Sequence, residues 1–115
     1  MLTAEKLRAY GADVEEGLAR CMNDEAFYLR MVNMAVEDRN FGRLEEAVEQ
    51  DEIPRIFEAA HALKGMLGNL ALKPLFRPAS EMTELARAGD HADYAALWNE
   101  LAKARKKLQA LRDED

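Results

Sequence analysis

The sequence predicts an all-α protein, an up-down antiparallel four-helix bundle with two short N-terminal helices. Composition carries the first half of that reading: Ala, Leu, Glu, Arg and Met dominate, and no stretch shows the strict alternation with clustered β-branched residues that marks a strand. Periodicity carries the second half. The punctuating residues are few, at Gly11, Asn23-Asp24, Asp51 to Pro54, Lys73-Pro74, Pro78 and Gly89-Asp90, and between them apolar residues recur mostly at spacings of three and four. The connections between the last three helices are short, which makes consecutive helices antiparallel neighbours. A chain of 115 residues supports one core, so residues 1–115 are read as a single domain.

Two short helices open the chain, over about 3–8 and 13–21, with Thr3 and Asp13 as N-caps and Gly11 between them. The first bundle helix is expected over about 24–50, where Phe27, Met31, Met34, Phe41, Leu44 and Val48 form the apolar stripe. Asp38 to Asn40 interrupt that stripe and leave room for a break. The second bundle helix runs over about 54–72, with Pro54 in its first turn and Ile56, Ala60, Leu63, Leu67 and Leu70 as its seam. A third is expected over about 75–88. Its start is ambiguous, because Pro78 lacks an N–H and is harmless only within a first turn. Gly89-Asp90 closes it, and the last helix, about 91–111, carries the seam Tyr94, Leu97, Leu101, Ala104, Leu108 and Leu111.

Composition also removes function classes. A net charge of -6 opposes a phosphate-backbone binder, so no nucleic-acid partner is expected. Cys21 is the only cysteine, which rules out an internal disulfide and a multi-thiolate metal site; it reads as a small buried hydrophobe. The first residues lack the basic stretch and apolar run of a secretory signal, and no run of about 18 apolar residues occurs. A cytoplasmic protein without membrane contact is expected. Met22, Met31, Met34, Met66 and Met82 fall at helical spacings that make most of them core, and Asp113-Glu114-Asp115 reads as a solvated tail.

The chemistry is concentrated on the second bundle helix. At about 100° per residue, His61 points roughly 140° away from the mean direction of the seam, so it faces outward. Gly65 at i+4 stands beside it, and Lys64 at i+3 flanks it. Gly68 follows one turn on. An interior helical glycine costs about 1 kcal/mol relative to alanine, and two within four residues call for a compensating reason, which close approach by another backbone supplies. A neutral imidazole nitrogen is a competent nucleophile, an ammonium offsets charge on a transferring phosphoryl group, and a missing side chain admits a partner's loop.

The segment Ala60-His61-Ala62-Leu63-Lys64-Gly65 to Leu72 resembles the core motif of histidine-containing phosphotransfer (HPt) domains, whose signature is His-x-x-Lys-Gly. A looser likeness extends to the long helix before it and to Glu84-Leu85-Ala86-Arg87-Ala88-Gly89-Asp90. Ala71 departs from the pattern, which often has glycine there. The resemblance implies phosphorylation of His61 on its outer ring nitrogen and stabilisation of the phosphoryl group by Lys64; from their places around the helix, Gly65, Gly68, Glu58 and Met66 are the residues expected to meet a docking partner. It implies a phosphoryl carrier without ATP-dependent kinase activity, exchanging with response-regulator receiver domains and sensor (hybrid) histidine kinases. No cofactor or metal is expected in the chain itself; magnesium comes with the receiver. A monomer is expected.

Other readings of the same residues are a helical interaction module that docks receivers or kinases without being phosphorylated, and a small enzyme with His61 as general base. The latter finds only Glu58 as a second group on the outer face. His91 reads as a solvated residue in the first turn of the last helix, since a metal site joining it to His61 lacks two further ligands.

Overall fold

The computed structural model describes residues 1–114, which form seven helices: α1 Ala4–Tyr10, α2 Val14–Arg20, α3 Glu25–Val36, α4 Asn40–Glu49, α5 Ile53–Asn69, α6 Lys73–Arg87 and α7 Tyr94–Asp113. Asp115, at the end of the expected acidic tail, lies outside the described residues. Each cap follows from its residue type. Thr3, Asp13, Asp24 and Asp93 accept hydrogen bonds from the backbone N–H of Lys6, Glu16, Phe27 and Ala96, answering donors that a first turn leaves unpaired. Gly89, with φ +71°, closes α6 through Asp90 N–H to Leu85 O and Gly89 N–H to Ala86 O, the paired bonds of a Schellman turn.

The bundle is a ring in which α5 packs against α4 and α6, α7 packs against α6 and α4, and α3 runs along α7. Its centre is built from Phe41, Leu44, Ile56, Leu63, Leu67, Leu75, Met82 and Leu101, all fully buried. The two N-terminal helices cover one end. Tyr10 on α1 donates its hydroxyl hydrogen to Ala104 O of α7 at 2.8 Å, and Tyr28 on α3 does the same to Leu70 O at 3.0 Å. Gly17 on α2 lets that tyrosine in, since an added Cβ would stand 2.5 Å from the Tyr28 ring. Cys21 is buried as expected.

Four expectations change. The helix expected over 24–50 is two helices, α3 and α4, separated at Glu37 to Arg39. The Asp38 carboxylate accepts the Asn40 N–H, and Arg105 of α7 donates to the α3 terminal carbonyl of Val36 at 2.8 Å, so the break is held by side chains. α6 starts at Lys73 rather than 75, with Pro74 in its first turn and Pro78 inside it, buried. The last helix starts at Tyr94 rather than 91, leaving His91 exposed ahead of the Asp93 cap, and it runs on to Asp113. Among the methionines, Met82 is core and Met31 and Met66 pack on it, whereas Met22 and Met34 are exposed.

Candidate functional site

α5 is a regular helix because its first turn, buried stripe and closing turn all suit that state and outweigh the cost of its two interior glycines. Pro54 sits in the first turn, where its missing N–H removes no helical bond. Ile56, Ala59, Ala60, Leu63 and Leu67 form its buried stripe. It ends in a Schellman turn, with Leu72 N–H donating to Leu67 O and Ala71 N–H to Gly68 O. Ala71 occupies the left-handed position of that turn at φ +54°, a conformation that favours glycine. That is the physical content of its departure from the family pattern.

His61 is exposed at the middle of α5, opposite the buried stripe. Its ring stacks on Phe57, one turn earlier, with centroids 5.2 Å apart and planes inclined by 25°. Stacking engages the face of the imidazole, whereas its nitrogens lie in the ring plane and stay available for chemistry.

The two flanks of His61 differ. Toward α6, the Lys64 ammonium lies 2.9 Å from Glu84 Oε2. The other oxygen of that carboxylate, Oε1, lies 3.4 Å from Arg87 Nε. The Arg87 guanidinium in turn lies over the Phe57 ring, 5.0 Å from its centroid. His61, Phe57, Arg87, Glu84 and Lys64 thus form one chain of contacts across the α5–α6 edge. The Lys64 hydrogen bond holds the Glu84 carboxyl below the ordinary carboxylate range.

Toward α4 the surface is open. A Cβ added to Gly65 would meet nothing within 4 Å, so nothing among the described residues requires glycine there. Glu58 and Ala62 line a groove between α4 and α5 together with Asn40, Arg43, Glu46 and Arg55.

The fold therefore brings His61, Lys64 and Gly65 together on one face, with Glu58 at its α4 margin. Gly68 is used inside the molecule, because a Cβ there would lie 3.2 Å from the Phe76 ring of α6. Met66 is half-buried against the core, about 140° around the helix from His61. Sequence reasoning missed Phe57, Glu84 and Arg87 as members of the site. Phe57 was findable as the i−4 neighbour of His61, but the other two depend on the register between α5 and α6, which no local pattern encodes. Among the described residues, no group of three or more His, Cys, Asp or Glu side chains is placed to hold a metal ion.

The family model of the Hpt domain matches residues 35–114, about two thirds of the chain. The chain belongs to the Hpt domain family. The match starts at the last turn of α3 and takes in α4 to α7, so α1 and α2 lie outside it. Hpt domains serve histidine phosphotransfer in two-component signalling, where they meet receiver domains and histidine kinases. No curated protein and no solved structure matches this Hpt domain. No helix among its described residues is long and apolar enough to cross a membrane.

Proposed function

We propose that this Hpt domain is a phosphorelay intermediate in which His61 accepts a phosphoryl group from the aspartate of a receiver domain and returns it to another. The observation that carries the reading is the face itself: an exposed imidazole at mid-helix, an ammonium one turn on, and open space over Gly65. The unprotonated ring nitrogen attacks phosphorus, an N–P bond forms, and the P–O bond to the aspartate breaks with its electron pair leaving on the carboxylate. Attack leaves a positive charge on the ring, which is relieved when the other ring nitrogen gives its proton to solvent. Transfer onward reverses these steps.

Lys64 offsets charge on the phosphoryl oxygens, and the gap at Gly65 admits the receiver's active-site loop, with Glu58 beside it. Met66 and Gly68 act on docking through the shape of α5, since both are engaged within the molecule. The receiver brings the magnesium ion, and a hybrid sensor kinase supplies phosphoryl groups upstream. The domain works as a monomeric cytoplasmic carrier.

The test is transfer from a receiver charged with labelled phosphoryl. Wild-type protein takes up an acid-labile, base-stable label, and His61→Gln takes up none. Lys64→Ala slows uptake about tenfold or more, as loss of a group that offsets developing charge does. Gly65→Leu lowers transfer while helical circular dichroism persists. Labelling of His61→Gln contradicts the assignment, and docking without uptake by wild type makes the domain a pure interaction module.

A further inference from the structure

The Lys64 ammonium is not free in the resting molecule. It is spent on Glu84 at 2.9 Å, a residue of the neighbouring helix twenty positions along the chain. That pair is a short side-chain contact on the surface, with Glu84 about half exposed and Lys64 about a quarter exposed. Exposed pairs of this kind are held only weakly against solvent. A phosphoryl group on His61 brings a charge of about -1.5 to -2 and three acceptor oxygens one helical turn from Lys64. It is the stronger partner for an ammonium than a single carboxylate.

The carboxylate is also the better prepared of the two to be left. Glu84 Oε1 already faces Arg87 Nε at 3.4 Å, and Arg87 is braced on the Phe57 ring. When Lys64 departs, Glu84 keeps a cation and remains solvated. The exchange leaves no charge stranded.

We propose that Glu84 is a resting-state counter-ion that holds Lys64 off His61 and yields it when the imidazole is phosphorylated, so that Glu84 limits how far phosphoryl transfer lies toward His61. The inference rests on the phosphotransfer reading above. Glu84 is a positioning residue: it acts on the phosphoryl group only through Lys64. Competition of this kind favours a carrier that gives up its cargo, because every phosphoryl group accepted must displace the carboxylate, and every one released lets the pair re-form.

The experiment needs no identified partner. Phosphoramidate donates its phosphoryl group to the imidazole and releases ammonia, so at a fixed phosphoramidate-to-ammonium ratio the occupancy of His61 reports an equilibrium. Wild type, Glu84→Gln, Lys64→Ala and the double variant are compared by peptide mass spectrometry that separates phosphorylation of His61 from that of His91. Glu84→Gln is expected to raise the ratio of phosphorylated to free protein about two- to fivefold, the range set by an exposed ion pair. In the Lys64→Ala background the same change is expected to have no effect, which a general charge effect at Glu84 would not produce. An equal rise in both backgrounds, or no rise in either, overturns the proposal. If wild type takes up no phosphoryl group at His61, the phosphotransfer reading itself fails; uptake at His61 without a Glu84 effect removes only the counter-ion role.

Discussion

Gly65 and Gly17 are both helical glycines, and their surroundings give them opposite meanings. Around Gly65 an added Cβ meets nothing, whereas at Gly17 it would lie 2.5 Å from the Tyr28 ring and 2.9 Å from the Leu70 carbonyl oxygen. Gly65→Ala is therefore expected to stabilise the fold by up to about 1 kcal/mol through helix propensity alone. Gly17→Ala is expected to destabilise it by about 1–2 kcal/mol, because overpacking outweighs the same propensity gain. Denaturant unfolding of the two variants checks both signs. A glycine retained where alanine would be more stable is the mark of a surface kept clear for something outside the chain. His61 takes its meaning in the same way, from its direction and neighbours more than from its identity. Its outward direction and the presence of Lys64 and Gly65 were legible in the sequence, because helical periodicity alone sets them. Its stacking on Phe57 is equally local, since that ring lies one turn back on the same face and outside the seam, and it was legible from the same periodicity.

At the scale of helices, the break between α3 and α4 depends on α7. Arg105 donates its Nε hydrogen to Val36 O at 2.8 Å, pairs with Glu37 at 3.1 Å, and lies 4.4 Å from the centroid of the Phe41 ring. One side chain thus caps α3, braces the linker and covers the start of α4. Arg105→Ala is expected to cost about 2 kcal/mol, the value of a charge-assisted hydrogen bond with its packing. Loss of amide protection at residues 36–41, ahead of the rest of the bundle, is the expected hydrogen-exchange signature. This dependence explains why 24–50 reads as one helix from sequence: Asp38 to Asn40 signal an interruption, but the group that stabilises it is 69 residues away. The same limit applies to Glu84 and Arg87, whose helix was expected but whose facing across to Lys64 was not. The start of α6 was obscured for another reason, since Pro74 and Pro78 both look like first-turn prolines and only one of them is.

For the whole molecule, the all-helical class and the order of the helices were legible because caps and seams repeat along the chain, whereas the division of 24–50 into α3 and α4 and the closing contacts were not. Ionisable groups in such contacts add to its response to pH. Glu15, Glu37 and Glu84 are all held below the ordinary carboxylate range, by hydrogen bonds from Arg8, from Gln109 with Arg112, and from Lys64 respectively. A lowered native pKa gives stability that is present above the unfolded value and lost as pH falls through the native one. Thermal midpoints should hold from neutrality to about pH 5 and drop below about pH 4. At the other end, burial pushes the Tyr28 phenol up to about 12 and raises Tyr10 in the same direction. A raised native pKa gives stability lost as pH rises, so the midpoint should fall from about pH 10 upward. Melting curves across pH 3–12, as an experimental range of about nine units, read both edges. The central claim, that His61 is the phosphoryl acceptor, is tested most directly by tandem mass spectrometry of the protein charged from a phosphorylated receiver under alkaline conditions. The account predicts a single phosphoryl group on the imidazole of His61. A phosphoryl group found on His91 or on a hydroxyl, with His61 unmodified, would contradict it.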